Sequence, residues 1–155
     1  MSYVGRFLLI LALVLWLGGI VFFSFVVAPS LFSLLASPTL AGNVVNHSLE
    51  ALHYMGLACG VVFLAATFLT ELRSVRALRG LICLMLLCTV VSQFGVIPQM
   101  HRIRQAVGGS VELLPAQDAG RAAFDHLHQL SVALEATTLL AGLGLIGIIS
   151  REHRS

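Results

Sequence analysis

The residues of this chain that could do chemistry fall into two acid-x-x-His units. One is Glu50-Ala51-Leu52-His53, continuing Tyr54-Met55-Gly56-Leu57-Ala58; the other is Asp125-His126-Leu127-His128, continuing Gln129-Leu130-Ser131-Val132-Ala133. The two stretches align residue by residue at an offset of 75. On a helix, positions i and i+3 share a face, so Glu50 is expected beside His53 and Asp125 beside His128. Imidazole is a common metal and haem ligand, and a carboxylate behind it fixes its tautomer and orientation. Set opposite each other, the units would suit haem or a transition metal, with His53 and His128 as ligands and Glu50 and Asp125 behind them. A simpler reading stays open, in which interfacial acid and His side chains cap helix ends. The pattern also matches half of a di-iron bundle. The other half needs a Glu from each of two further helices, and the first and third apolar runs have none.

Glu135 is the third feature. It lies seven residues beyond His128, hence on the same helix face and about 10 Å deeper. Phe124, His128, Ser131, Glu135, Thr138 and Gly142 step by fours and threes along one seam. A charged carboxyl at membrane depth is costly, and an intramembrane acid reads as functional by default. Glu135 is either a proton-holding group beneath the histidines or a neutral carboxyl bonded across the seam, since burial favours the uncharged form. Its counterpart in the other unit is Gly60, which would leave room opposite it. His126 lies about 200° round the helix from His128 and faces away. His47, His101 and His153 have no partner in sequence, although His101 is on the right side to join the site. No phosphate-binding loop, dinucleotide turn or nucleophile elbow occurs, which points away from an enzyme.

These residues need helices to hold them, and composition names the solvent. Of 155 residues, 58% are hydrophobic and 10% charged, with a mean hydropathy of +0.97. A soluble domain carries about a quarter charged residues, so lipid must cover much of this surface. All nine basic residues are Arg, placed at segment ends. That is no nucleic-acid face. Cys59, Cys83 and Cys88 lie in apolar runs and read as small core residues.

Four apolar spans are predicted, at about 7–34, 47–73, 80–100 and 124–150, in one transmembrane domain with a polar loop at 101–123. The first is too long for a signal-peptide core of about 7–15 residues. Gly18 and Gly19, and the Gly56/Gly60 pair, suggest close helix contacts. Ser37-Pro38 is a helix start, and Gly42-Asn43 predicts a short separate interfacial helix ending by Asn46. Glu50 and Glu71 bracket the second span. Ser92 and Gln93, near the far end of the third span, can bond to neighbouring helices. Asp118 or Pro115 is expected to start the last helix. A second echo precedes each unit: Phe25-Val26-Val27-Ala28-Pro29 and Phe94-Gly95-Val96-Ile97-Pro98 share the form F-x-V-x-P. The chain thus reads as two related helical hairpins. Arg6, Arg73, Arg76, Arg79, Arg151 and Arg154 fall on the side of the termini; Arg102, Arg104 and Arg121 fall on the other. The positive-inside rule then puts both termini in the cytoplasm.

The chain resembles the transmembrane protein 205-like family, also called domain of unknown function 4149. The likeness rests on Trp16 with Gly18-Gly19, Phe25 to Pro29, His53-Tyr54-Met55-Gly56, Pro98 with its basic tail, and Phe124-x-x-x-His128-x-x-Ser131. It implies a small four-helix multi-pass membrane protein and supplies no biochemical activity. The family pattern carries a neutral polar residue near Glu135, so no role for Glu135 carries over. Trp16-Leu17-Gly18-Gly19-Ile20-Val21-Phe22 is also similar to the first helix of copper-resistance D-type proteins and of haem-binding four-helix protoporphyrinogen oxidases. Those families place membrane histidines around copper or haem.

The expected protein is an all-α, four-helix transmembrane bundle of two pseudo-repeated hairpins in a bacterial inner membrane. Its first functional reading is a haem or transition-metal site near the outer face, serving redox chemistry, metal handling or complex assembly. In that site His53 and His128 are ligands, Glu50 and Asp125 support them, and Glu135 lies beneath. The alternatives are a non-catalytic scaffold that docks to a membrane partner or to its own copy, and a small transporter, although no helix is broken at mid-membrane beyond the prolines.

Overall fold

The computed structural model describes residues 3–70, 74–115 and 117–151, without the side chain of Glu112. Glu71, Arg73, Glu152, His153 and Arg154, which entered the reading of spans and charge, lie outside the described residues. Four helices are long and apolar enough to cross a membrane: α1 (Tyr3–Leu34), α2 (Pro38–Ala66), α3 (Val75–Ala106) and α4 (Ala119–Arg151). At 29–33 residues each, they run about 44–50 Å. That exceeds the roughly 30 Å of a bilayer's hydrocarbon. The polar halves of α2 and α4, and the polar tail of α3, therefore extend beyond the apolar slab at one end. This is the loop end, which carries the α1–α2 and α3–α4 connections; the other is the terminal end.

The helices form a closed square. α1 packs on α2, α3 on α4, α2 on α3 and α1 on α4. α2 and α4 thus face each other across the bundle. Trp16, Phe63, Leu78, Ile82, Met85 and Leu145 are fully buried at its centre, while Val14, Val61, Leu87, Leu140 and Leu143 point outward as lipid-facing side chains. Lipid tails are as apolar as these residues, so close packing has to hold the helices together. Gly56 and Gly60 supply it: a Cβ on Gly56 would collide with the Trp16 indole, and one on Gly60 with Leu86. Gly142 admits Leu17 in the same way, and Gly19 lies against Leu52 and Met55. Gly18, expected to sit at a helix contact, has open space instead.

Two helices contain a π-turn, Phe23–Val27 in α1 and Val91–Val96 in α3. Each precedes a proline, Pro29 or Pro98. Proline has no N–H and its ring clashes with the carbonyl four residues back; a wider turn there relieves the clash and re-bonds the ladder. The i→i−5 bonds run from Ala28 N to Phe23 O and from Ile97 N to Ser92 O. Both copies of the F-x-V-x-P echo therefore carry the same backbone device.

The helix ends follow local chemistry. Ser37 Oγ accepts from Leu40 N at 3.3 Å with Pro38 in the first turn, an N-cap with proline where no amide is needed. From there α2 runs unbroken to Ala66, so the separate helix expected up to Asn46 does not exist. Gly42 and Asn43 are not breaks. They seat the buried Arg104, whose Nη1 donates to Asn43 Oδ1 at 2.7 Å and whose guanidinium lies over Gly42. α3 ends in paired bonds, Gly109 N to Arg104 O and Gly108 N to Gln105 O. That closure needs the left-handed backbone that glycine adopts freely, and Gly108 has φ +73. Asp118 Oδ1 accepts from Gly120 N and Arg121 N at 2.8 and 3.1 Å and starts α4.

Candidate functional site

His53 is buried halfway along α2, just inside the point where its apolar half begins. Both of its ring nitrogens are engaged. Nδ1 lies 2.9 Å from Gln93 Oε1 on α3, and Nε2 lies 3.3 Å from Glu135 Oε2 on α4. Three helices thus meet in one hydrogen-bonded line, Gln93–His53–Glu135. The His53 side chain is 3% exposed and that of Glu135 18%. An unpaired polar group at such a place would cost several kcal/mol by transfer estimates, about 2–7, so the line is also what makes these residues tolerable.

The Gln93 amide sets the protons. Turned over, its nitrogen would donate to Nδ1 and the ring Nε2–H would donate to the Glu135 carboxylate. With its oxygen facing the ring, as here, Gln93 only accepts, and His53 Nδ1 carries a hydrogen and donates to it. In a neutral ring Nε2 is then an acceptor, and Glu135 must supply the hydrogen between them. The other arrangement with one proton in that contact is an imidazolium facing a carboxylate. In both, the His53–Glu135 pair holds one proton between Nε2 and Oε2. Without it, a lone pair and a carboxylate face each other across 3.3 Å.

Gln93 lies within the π-turn of α3, on the buried face that Cys88, Thr89, Ser92, Val96, Ile97 and Met100 continue. Ser92 Oγ is buried with no hydrogen-bond partner among the described residues. Below the pair the hydroxyls turn back on their own helices: Thr89 Oγ1 donates to Met85 O and Thr138 Oγ1 to Leu134 O.

A cavity of about 380 Å³ opens at the loop end between α2 and the tail of α3, lined by Asn43, Asn46, His47, Glu50, His101 and Arg104 among others. Glu50 Oε1 is 3.6 Å from His101 Nε2 at its wall. Arg104 is 8% exposed, and its guanidinium stands 5.2 Å from the Phe124 ring centroid.

The expected pairs are rearranged. Glu50 meets His101 rather than serving His53. Asp125 does not support His128; it reaches Arg121 one turn back at 4.0 Å, on an exposed face. His128 is itself exposed while His53 is buried, so the two imidazoles do not converge as facing ligands. The reason lies in the register of α4. Ser131, Thr138 and Gly142 face the bundle as the seam predicts, but further up α4 it is Phe124 and Leu127 that are partly covered, and His128 beside them is exposed. Glu135 is on the seam, and it touches His53 directly instead of lying beneath a pair of histidines. Gly60, assigned the space opposite Glu135, is filled by Leu86 and Trp16. Among the described residues no three His, Cys, Asp or Glu side chains stand together as a metal would require. Gln93, expected to bond to a neighbouring helix, does so through His53 Nδ1, while Ser92 does not among the described residues; that His53 would be the residue it meets had no signal in the sequence.

The fold and this polar line define a class, a small multi-pass membrane protein with four spanning helices and an ionisable pair locked between them. The chain belongs to the family described as a domain of unknown function (DUF4149), whose model matches residues 11–108. That match takes in His53 and Gln93 and stops short of Glu135. No curated protein and no solved structure matches the chain.

Proposed function

We propose that this is a proton-responsive membrane protein in which the His53–Glu135 pair stores one exchangeable proton and ties α2 to α4 through it. The carrying observation is the occupancy of both imidazole nitrogens, with an amide acceptor on one side and a carboxyl on the other. With the proton present, the pair bridges the bundle. With it removed, the Nε2 lone pair and the carboxylate repel until the Gln93 amide turns over and the ring changes tautomer. The pair therefore favours one helix arrangement when loaded and a looser one when empty, which is the requirement for a two-state switch. Coupling a proton to helix packing suits a small proton-coupled transporter or a sensing subunit.

The haem or metal reading would need His53 to give up one of its two hydrogen bonds and His128 to turn inward, so it is the weaker account of the same residues. The scaffold reading assigns the line a purely structural role. A bacterial inner-membrane location with both termini cytoplasmic is supported by Arg6, Arg76, Arg79 and Arg151 at the terminal end against Arg102, Arg104 and Arg121 at the loop end. The paired F-x-V-x-P π-turns support the two-hairpin repeat.

The test is a pair of spin labels, one on α2 and one on α4 near the loop end, with their separation followed against pH in lipid nanodiscs. The switch reading expects the distance distribution to widen as the pH rises and the Glu135→Gln protein to stay fixed, because its amide donates to Nε2 at every pH. A wild-type distribution that ignores pH contradicts the switch reading.

A further inference from the structure

We infer that the proton of the His53–Glu135 pair exchanges with water at the loop end alone, through the Glu50–His101 cavity, while the terminal half of the bundle is a dry plug. This rests on the proton-storing reading above. Glu50 lies one turn from His53 on the same face of α2, where i and i+3 side chains are neighbours, about 5–6 Å between Cβ atoms. Its carboxyl is 29% exposed, it lies 3.6 Å from His101, and it lines the cavity with the exposed His47. Carboxylate and imidazole groups within hydrogen-bond reach of one another, or one water apart, are the usual carriers of a proton. The path is water, then His47 or His101, then Glu50, then the buried pair. One proton moves inward and the same proton leaves on release, so no other reactant is needed.

Nothing comparable leads the other way. On the terminal side of the pair, Trp16 fills the space at Gly56 and Gly60, and Phe63, Ile82, Met85, Leu78 and Leu145 are fully buried beyond it. The hydroxyls of Thr89 and Thr138 are spent on their own helices. The titratable groups around the pair can be named helix by helix among the described residues. α1 has none between Phe7 and Leu34. α2 has His47 and Glu50 above His53, Tyr54 next to it facing outward, and the Cys59 thiol below. α3 has His101, Arg102 and Arg104 above Gln93 and, below it, the thiols Cys83 and Cys88, Cys83 facing outward, with Arg76 and Arg79 at its start; α4 has Arg121, Asp125, His126 and His128 above Glu135 and none below it before Arg151. Among the described residues, every carboxyl and imidazole outside the pair is therefore on the loop side.

The experiment uses the full chain in proteoliposomes of one orientation and follows the infrared bands of the Glu135 carboxyl, the carbonyl stretch of its protonated form and the carboxylate stretch of its ionised form facing an imidazolium. Each band is assigned to Glu135 by its loss in Glu135→Gln. A pH jump on the loop side, with an impermeant buffer, is expected to change these bands promptly, and the same jump on the terminal side to leave them unchanged. In Glu50→Gln the loop-side response is expected to slow about tenfold or more. A band that follows the terminal side, or both sides equally, overturns one-sided access while leaving the stored proton intact. If pH changes neither a protonated-carboxyl nor a carboxylate band that Glu135→Gln removes, the proton-storing reading itself fails, and this inference with it.

Discussion

Two histidines of similar sequence setting have opposite fates, and substitution should separate them. His53→Ala removes a ring bonded at both nitrogens and strands Gln93 and Glu135 in a buried place. An unsatisfied buried partner costs about 1–3 kcal/mol, so a clear drop in thermal midpoint in detergent is expected. His128→Ala, on an exposed position, is expected to stay within about 0.5 kcal/mol of the parent in the same assay. Equal effects would contradict the placement of the two rings. Gln93→Leu tests the other half of the line. It leaves the Nδ1 hydrogen without an acceptor and should cost about 1–3 kcal/mol, whereas Ser92→Ala, which removes a hydroxyl with no partner among the described residues, should cost less or stabilise. The importance of Glu135 could be read from its depth in an apolar run. Its partner could not, because helical spacing relates residues on one helix and is silent on which residue of another helix arrives opposite.

The helices position these residues through glycine contacts and proline-induced π-turns. Gly56 exists for Trp16: adding a methyl at Gly56 would meet the indole, and overpacking of this kind costs about 1–3 kcal/mol. Gly56→Ala should therefore destabilise the bundle, while Gly18→Ala, with open space around it, should not; unfolding midpoints in detergent decide. Pro98 holds the π-turn that contains Gln93. Pro98→Ala restores an amide, lets the turn relax toward α geometry and rotates Gln93 off the ring, which the imidazole nitrogen shifts would report. The prolines and their repeated motif were plain in the sequence, but the π-turn was not, since the motif says that a helix must adjust and not how. The Gly42-Asn43 pair misled for a related reason. Low helix propensity is a weak prior that tertiary contact overrides, and here the contact is a buried guanidinium seated on Gly42.

The molecule as a whole is a membrane bundle whose loop end is polar and whose terminal half has an apolar core. Composition and the four apolar runs made the spanning helices legible without any structure, because lipid leaves few alternatives to helices with every backbone group bonded. How far the helices extend beyond the slab was hidden. Hydropathy marks where lipid ends and carries no signal for where a helix ends, so α2 begins at Pro38 although its apolar half begins near Ala51. Hydrogen exchange in nanodiscs should show this: amides from 51 to 66 protected, and those from 38 to 50 exchanging faster despite lying on the same helix. Uniform protection along α2 would place the whole helix in the hydrocarbon.

The most direct check on the stored proton is nitrogen-15 magnetic resonance of His53 in lipid bilayers across a pH titration. Nδ1 is expected to be protonated while the pair holds its proton, and the Nε2 signal to move with pH in the parent and to stop moving in Glu135→Gln. An Nε2 signal indifferent to the Glu135 substitution, or one that shows iron or another metal bound at that nitrogen, would contradict it.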